Sequence, residues 1–172
     1  LDPVPDLVLT GLAAGEQFGL AVAGVGDVNG DGRDDLLVGA RFNSEGGSEA
    51  GKAYVYFGGP GLDAVSDLVL PSHSAGERFG FSVARGGDVN GDGANDFLVA
   101  AYHNSEGELE AGRVYVYFGG AGVDGTADLV LAGTGVRAHF GDGLCAADVN
   151  GDGHSDVVVG ASQHNDAAGR AY

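Results

Sequence analysis

The stretch Asp27-Val28-Asn29-Gly30-Asp31-Gly32-Arg33-Asp34-Asp35 decides the fold, because it occurs three times in this chain. It returns as Asp88-Val89-Asn90-Gly91-Asp92-Gly93-Ala94-Asn95-Asp96 and as Asp148-Val149-Asn150-Gly151-Asp152-Gly153-His154-Ser155-Asp156. In each copy, oxygen-bearing side chains occupy positions 1, 3, 5 and 9, and glycines occupy positions 4 and 6. Calcium takes about six to eight oxygen ligands, and glycine permits the positive φ angles with which a short loop wraps around an ion. The pattern therefore predicts three calcium loops.

The predicted ligand set has the same composition in all three loops. Three carboxylates and one amide supply side-chain oxygens, and position 7 varies freely, as expected if only its backbone carbonyl is used. Three calcium ions, one per repeat, would reduce the formal net charge from −17 to −11. The predicted ligands are Asp27, Asn29, Asp31, Arg33 and Asp35, then Asp88, Asn90, Asp92, Ala94 and Asp96, then Asp148, Asn150, Asp152, His154 and Asp156.

Two other interpretations explain the loops less well. An EF-hand ends with a bidentate glutamate at position 12 and is flanked by helices. Position 12 is Val38, Val99 or Val159 here, inside short apolar runs that are typical of buried strands. The EF-hand is therefore excluded. A hairpin turn without metal would use the same Asn-Gly and Asp-Gly dipeptides, but it would not need the carboxylate at position 9.

Composition and charge limit the class of protein. The chain has 172 residues with 34 glycines, 4 prolines and 44% hydrophobic residues, which indicates one turn-rich domain with a packed core. The net charge of −17 argues against binding to nucleic acid or to an anionic membrane surface. No apolar run approaches the ~20 residues that span a membrane, so we expect no membrane insertion. The single cysteine, Cys145, stands where the other copies have Ala23 and Ala84, which predicts a small buried residue.

The repeat organises the whole chain. Phe18, Phe79 and Phe140 recur every 61 residues, whereas the loop-opening aspartates are 61 and then 60 residues apart. The third copy has therefore lost one residue between its Phe-Gly pair and its loop. Each unit is predicted to hold four short strands and no helix, starting with a fourth strand. In the first copy these strands are residues 6–9, 18–23, 36–40 and 52–57, and the loop-containing units are approximately 11–71, 72–132 and 133–172.

Four antiparallel strands repeated around an axis describe the blade of a β-propeller. A solenoid is the alternative, but its repeats are usually shorter. The predicted fold is therefore all-β, with three blades that form an incomplete propeller or half of a dimeric one. Because closed propellers have roughly four to eight blades, we expect these blades to continue in a longer parent of seven, or to pair in a homodimer of six.

The motifs together resemble the FG-GAP repeat of integrin α-subunit propellers. They are the pairs Phe18-Gly19, Phe79-Gly80 and Phe140-Gly141, the three aspartate loops, and the segments Gly39-Ala40, Ala100-Ala101 and Gly160-Ala161. The resemblance implies calcium between the first and second strands of each blade, on the lower face. It also implies an extracellular, secreted or cell-surface protein that recognises a protein or glycan on the opposite face. Ala100 departs from the motif glycine, which we expect to matter little, and the glycine-rich, cysteine-poor composition resembles a bacterial secreted relative more than an animal integrin.

The expected ligand surface consists of the loops opposite the metals. These are residues 41–50, 102–111 and 162–168, together with 10–17 and its counterparts, and they carry Glu45, Glu49, Glu106 and Glu108. A solvated acidic rim without a ligand is the alternative. His103 and His164 lie at or near the same loop of their copies, but Phe42 holds the matching position in the first copy, and a zinc site would need ligands that converge from different blades.

Three classes of function remain open. The first is a calcium-stabilised module for extracellular recognition or adhesion. The second is a structural repeat segment of a larger secreted protein, and the third is the non-catalytic part of a secreted enzyme. Ser72-His73-Ser74 has no counterpart in the other copies, and no Gly-x-Ser-x-Gly elbow is present. We therefore expect no catalytic residues in this chain.

Overall fold

A computed structural model describes residues 4–172 and places eleven strands in three antiparallel sheets. The first sheet contains β1 (Val22–Gly26), β2 (Asp35–Ala40), β3 (Lys52–Tyr56) and β4 (Leu68–Pro71) in that order. The second contains β5 (Ser82–Gly87), β6 (Asp96–Ala101), β7 (Arg113–Tyr117) and β8 (Leu129–Ala132). The third contains β9 (Phe140–Ala147), β10 (Asp156–Ala161) and β11 (Arg170–Ala171). The predicted all-β fold of an incomplete propeller is confirmed.

The sheets pack face to face through alternating side chains. Because successive residues of a strand point to opposite faces, the middle sheet supplies two separate cores. Phe97, Tyr115 and Tyr117 are buried against the first sheet, whereas Leu98 and Val116 are buried against the third. The first strands of the three sheets, β1, β5 and β9, lie side by side. This is the arrangement of propeller blades around an axis.

The predicted N-terminal strand at residues 6–9 is wrong, because the structure has no strand there. A fourth strand needs the third strand of its own sheet as a partner, and residues 4–172 offer none to this segment. The N-terminal segment instead covers the outer face of the first sheet. There Leu9 and Phe18 pack against Tyr54 and Tyr56, with the Phe18 and Tyr54 rings 5.7 Å apart.

The first strand begins later than predicted in the first and second blades, whereas β9 begins at the predicted Phe140. β1 starts at Val22 rather than at Phe18, because Gly19 turns the chain with a φ of +83° before the strand. The register of β1 against β2 then shifts between Gly24 and Gly26, which makes Val25 a bulge residue. In the third blade, the end of β9 at Ala147 pairs with β10 without this shift. The residue that the third copy lacks is therefore the bulge residue.

Two further expectations about the third copy are wrong. Cys145 is exposed. It pairs with Val158 as Ala84 pairs with Leu98, but the third sheet covers Ala84, and none of the described residues covers the equivalent face beside Cys145. The third copy also contains a short helix, α1 (His164–Ala167), where no helix was predicted, although three of its four residues have positive φ angles.

The glycine of the first Gly-Ala segment is required by the contact between blades. A Cβ atom at Gly39 would lie 2.0 Å from the carbonyl oxygen of Gly80, whereas a Cβ at the equivalent Gly160 would come no closer than 3.4 Å to its neighbours. We therefore predict that Gly39→Ala lowers the free energy of unfolding by about 1–3 kcal/mol, and that Gly160→Ala does not. Chemical denaturation of both variants checks this prediction, and equal effects would contradict it.

Candidate metal loops

The three aspartate loops connect the first and second strands of each blade and share one hydrogen-bond pattern. Asp27 Oδ1 accepts bonds from the backbone N–H groups of Gly30, at 2.8 Å, and Asp31, at 3.0 Å. Asp27 Oδ2 accepts from the N–H of Gly32 at 2.7 Å. The equivalent bonds of Asp88 and Asp148 are 2.6–3.1 Å long. The aspartate at position 1 therefore closes every loop.

The side chains at positions 3 and 5 also fold back on their own loop. Asn29 Oδ1 accepts from the N–H of Asp31 at 2.8 Å, and Asp31 Oδ1 accepts from the N–H of Arg33 at 2.9 Å. The same two bonds in the other loops measure 2.8–3.0 Å. Gly30 and Gly32, with φ of +80° and +86°, provide the turns that this wrapping requires.

The aspartate at position 9 joins the loop to the rest of the blade. Asp35 is fully buried, and its Oδ2 accepts from the N–H of Val28 at 2.9 Å. Its Oδ1 accepts from the N–H of Gly58 at 2.8 Å, in the connection that follows β3. The matching bonds in the second blade join Asp96 to Val89 at 2.7 Å and to Gly119 at 2.9 Å. One carboxylate thus links both connections at the lower end of a blade.

Burial makes the charge of these aspartates costly. Desolvation raises the pKa of Asp35 and of Asp96 above the usual 3.8, although backbone N–H donors oppose the shift. A carboxyl with a raised pKa in the folded state contributes stability at low pH, and this contribution is lost as the pH rises through that pKa. At neutral pH the buried anions therefore destabilise the fold. In contrast, the backbone N–H of Ala94 lowers the pKa of the exposed Asp92.

The chain provides no cation for the loop carboxylates. Among residues 4–172, no lysine, arginine or histidine lies within 4.0 Å of a loop aspartate as an ion pair. The donor set consists only of carboxylate, amide and carbonyl oxygens, which are the ligands that calcium prefers. These loops therefore fit a calcium ion in both charge and chemistry.

The loop carboxylates are not gathered as tightly as the ligands of a preformed site. Within the described part of the chain, only His103, Glu110 and His139 form a group of three such side chains with ligand atoms all within 4.8 Å of one another. The loop aspartates instead hydrogen-bond to backbone N–H groups. Some of those bonds would be exchanged for bonds to an ion. Each loop thus contains the predicted residues, and their side chains hydrogen-bond to the backbone of the same loop.

Neighbouring loops contact one another at the lower end. Asn95 Nδ2 donates to the carbonyl oxygen of Asp27 at 3.3 Å, and the N–H of Ser155 donates to the carbonyl oxygen of Asp88 at 2.7 Å. Position 8 of one loop is thus bonded to position 1 of the preceding loop. The three loops form a connected series across the blade interfaces.

The loops at the opposite end include the acidic residues of the expected ligand surface, and most of them are paired within the chain. Glu45 contacts Lys52, and Glu106 contacts Arg113. Glu49 Oε2 lies 2.8 Å from Arg78 Nη2. Glu108 is exposed, and among these four glutamates it is the one that forms no ion pair with another described residue.

A pair of buried glutamates was missed by the sequence analysis. Glu77 Oε2 accepts from Asn104 Nδ2 at 2.6 Å, and Glu16 Oε2 accepts from Asn43 Nδ2 at the same distance. Both glutamates are almost fully buried. Each connects the loop that precedes the first strand of a blade to the loop between the second and third strands. The signal was a glutamate two residues before Phe-Gly in the first and second copies, which the third copy replaces with Ala138.

Comparison with known proteins agrees with this architecture. The model of the FG-GAP repeat matches residues 18–56, 79–117 and 140–172, which is more than half of the chain. Integrin alpha-5 of Xenopus laevis is 35% identical over 163 residues, covering 86% of this chain and 15% of the relative. Integrin alpha-IIb of Homo sapiens is 37% identical over 172 residues, covering 93% of this chain and 16% of the relative. The chain thus spans about a sixth of the length of these relatives.

The three repeats, their antiparallel sheets and the similarity to integrin α chains lead to one assignment: the chain belongs to the FG-GAP repeat family and forms integrin-like propeller blades.

Proposed function

We propose that each aspartate loop binds one calcium ion and that the ion stabilises the blades rather than taking part in catalysis. The observation that carries this proposal is the presence of three loops with the same folded-back carboxylates and no cation from the described chain. Position 1, 3, 5 and 9 side chains and the position 7 carbonyl would hold the ion, and water would complete the shell because position 12 is valine.

A bound calcium ion supplies positive charge at the lower end of each blade. Asp35 already links its loop to the connection after β3, and Asn95 links the second loop to the first. An ion would therefore strengthen contacts both within a blade and between blades. We expect an affinity of about 10⁻⁴–10⁻³ M, as in other extracellular calcium modules. Such weak sites suit a compartment that is rich in calcium.

Loop one contains a matched pair of aspartates for testing the ligand set. Asp31 is a proposed ligand at position 5, whereas the neighbouring exposed Asp34 at position 8 is not. We predict that isothermal titration gives three calcium ions per chain for the unchanged protein and for Asp34→Asn, and two for Asp31→Asn. Both variants lose the same formal charge, so a general electrostatic effect would change them equally. No heat with calcium, or the same loss in both variants, would contradict the proposal.

Thermal unfolding tests whether calcium has a structural role. Because the ion would bind the folded loops and relieve repulsion among their aspartates, calcium at 100 times its dissociation constant should stabilise each site by about 2.7 kcal/mol. We predict a higher Tm with calcium than with a chelator, and a smaller increase for Asp31→Ala. An unchanged Tm after chelation would mean that the loops hold their shape without an ion.

The recognition surface of the proposed module is the end opposite the loops, and its ligand would be a protein or a glycan outside the cell or at its surface. One support is the similarity to integrin α chains. The other is that backbone hydrogen bonds join the second-to-third loops to the fourth-to-first loops at this end, as the Arg78 N–H donates to the Glu49 carbonyl oxygen at 3.1 Å. These bonds hold both sets in one surface. The proposal includes neither binding to nucleic acid nor insertion into a membrane. Within residues 4–172, no helix is long or apolar enough to cross a membrane.

Glu108 is the most suitable residue for testing this surface. Its charge can be reversed without breaking an ion pair found in the described structure, unlike Glu45, Glu49 or Glu106. We predict that Glu108→Lys keeps the Tm but changes binding in a screen of glycans and matrix proteins performed with and without calcium. If neither the unchanged protein nor Glu108→Lys binds a partner in that screen, one of two alternatives is favoured. The chain would then be a structural repeat segment without its own ligand, or a non-catalytic part of a secreted enzyme.

Homodimerisation is a further proposal about partners. The outer side of the third sheet leaves Cys145 exposed, and the second half of a six-bladed ring could cover that side. The absence of a strand at residues 6–9 means that such a dimer would have to order this segment on association. Light scattering should give twice 17.1 kDa for a dimer, and a monodisperse monomer would refute the pairing.

A further inference from the structure

The interface between the second and third blades brings together three side chains with metal-binding atoms. His103 begins the second-to-third loop of the middle blade, Glu110 ends it, and His139 immediately precedes β9 of the next blade. Each offers one ligand atom, and these atoms all lie within 4.8 Å of one another. All three side chains are partly buried. The group lies at the end of the blades opposite the aspartate loops.

The backbone holds these residues in place. The N–H of His139 donates to the carbonyl oxygen of Glu110 at 3.3 Å, and the N–H of Phe140 donates to that of Ala111 at 2.9 Å. The N–H of His103 donates to the carbonyl oxygen of the buried Glu77 at 3.3 Å. Glu110 and His139 both have left-handed backbone angles, with φ of 50° and 55°. Non-glycine residues adopt this conformation only where the surrounding structure fixes it.

The preceding blade interface contains an internal comparison. Phe42, Glu49 and Arg78 occupy the positions that His103, Glu110 and His139 occupy 61 residues later. There the Arg78 guanidinium bonds to Glu49 at 2.8 Å and 3.0 Å and lies 5.2 Å from the centre of the Phe42 ring. The carboxylate is common to both interfaces, whereas an ion-pairing arginine and a phenylalanine are replaced by two imidazoles. The chemistry of the position thus changes from an ion pair to a set of metal ligands.

We propose that His103, Glu110 and His139 form a binding site for one divalent transition-metal ion of the zinc class, which joins the second and third blades. Two imidazoles and one carboxylate match the ligand sets of zinc, and imidazole does not suit calcium. The site is therefore separate from the calcium loops in both position and chemistry.

The geometry requires only small adjustments. Ligand atoms around a tetrahedral zinc ion are about 3.3 Å apart, so these atoms would need to approach one another by no more than about 1.5 Å. The His103 and His139 rings are 5.0 Å apart and inclined by 32°, and each can turn about its side-chain bonds. A groove of about 390 Å³ opens beside His103 and Glu110, which leaves room for water as the fourth ligand.

Nearby cations oppose the ion only weakly. Arg78 Nη1 lies 3.4 Å from His103 Nε2, but the same nitrogen donates to the Tyr102 hydroxyl at 2.7 Å. Arg78 therefore keeps its shorter bonds, to Tyr102 and Glu49, if His103 turns to an ion. Arg137 Nε lies 3.3 Å from Glu110 Oε2 on a side chain that is 66% exposed, so it can move into solvent. Burial and the charge of Arg78 lower the pKa of His103.

The test uses the full chain in saturating calcium, so that zinc does not compete for the aspartate loops. Isothermal titration with zinc chloride should give one ion per chain, and cobalt should produce the visible absorption of tetrahedral Co²⁺. The double variant His103→Phe and His139→Arg copies the first interface, so it should fold, keep its calcium binding and lose the zinc ion. His73→Gln is the matched control because His73 is a nearby histidine outside the group, and it should keep one zinc ion.

Two results would overturn the proposal. The first is zinc binding that is unchanged in the double variant, which would place the ion elsewhere. The second is the absence of both zinc heat and tetrahedral cobalt absorption in the unchanged protein. If the double variant fails to fold, the zinc affinity of the single variant Glu110→Gln tests the site instead. This change removes one ligand without changing the size of the side chain. Full zinc affinity in Glu110→Gln would also contradict the site, whereas a clear loss of affinity would support it.

Discussion

The buried carboxylate at position 9 is the interaction on which the first and second blades depend most. In the first blade, both oxygens of Asp35 accept backbone N–H groups from two different connections. A hairpin turn alone would leave these connections independent. The aspartate therefore fixes the lower end of the sheet, and it does so with a charge that burial makes unfavourable at neutral pH. A calcium ion bound as proposed would add positive charge beside this carboxylate.

Contacts between blades repeat the same positions with different residues. The lower ends are joined by Asn95 in one interface and by the backbone of Ser155 in the next. At the upper ends, Arg78 and Glu49 form an ion pair, whereas His139 and Glu110 occupy the equivalent positions of the following interface. The scaffold is thus common to the three copies, and their individual chemistry is concentrated where two blades meet.

Much of the fold could be predicted from the sequence, because its signals are local. The loops combine glycine and aspartate at fixed spacing, and strands such as β2 and β3 are short apolar or alternating runs between turns. Features that depend on a neighbouring blade could not be predicted in this way. Residues 6–9 look like β4 but lack a strand partner, and Cys145 looks like Ala84 but lies on an uncovered face.

The same reasoning separates the two candidate sites. All proposed ligands of an aspartate loop lie within nine consecutive residues, so spacing alone indicated them. His103 and His139 are 36 residues apart, on different blades, and their approach depends on the backbone bonds between Glu110 and His139. Those backbone bonds join two blades, so they give no signal within the sequence of a single repeat. A candidate site within one repeat could thus be proposed from the sequence, but the candidate site between repeats required the structure.

A crystal structure of the chain grown with calcium would test the central claim most directly. The account predicts three anomalous-scattering peaks, each about 2.3–2.6 Å from the side-chain oxygens at positions 1, 3, 5 and 9 and from the carbonyl oxygen at position 7. It also predicts that the carboxylates of Asp27 and Asp31 exchange some of their bonds to backbone N–H groups for bonds to the ion. Loops with unchanged hydrogen bonds and no peak, at millimolar calcium, would contradict the account.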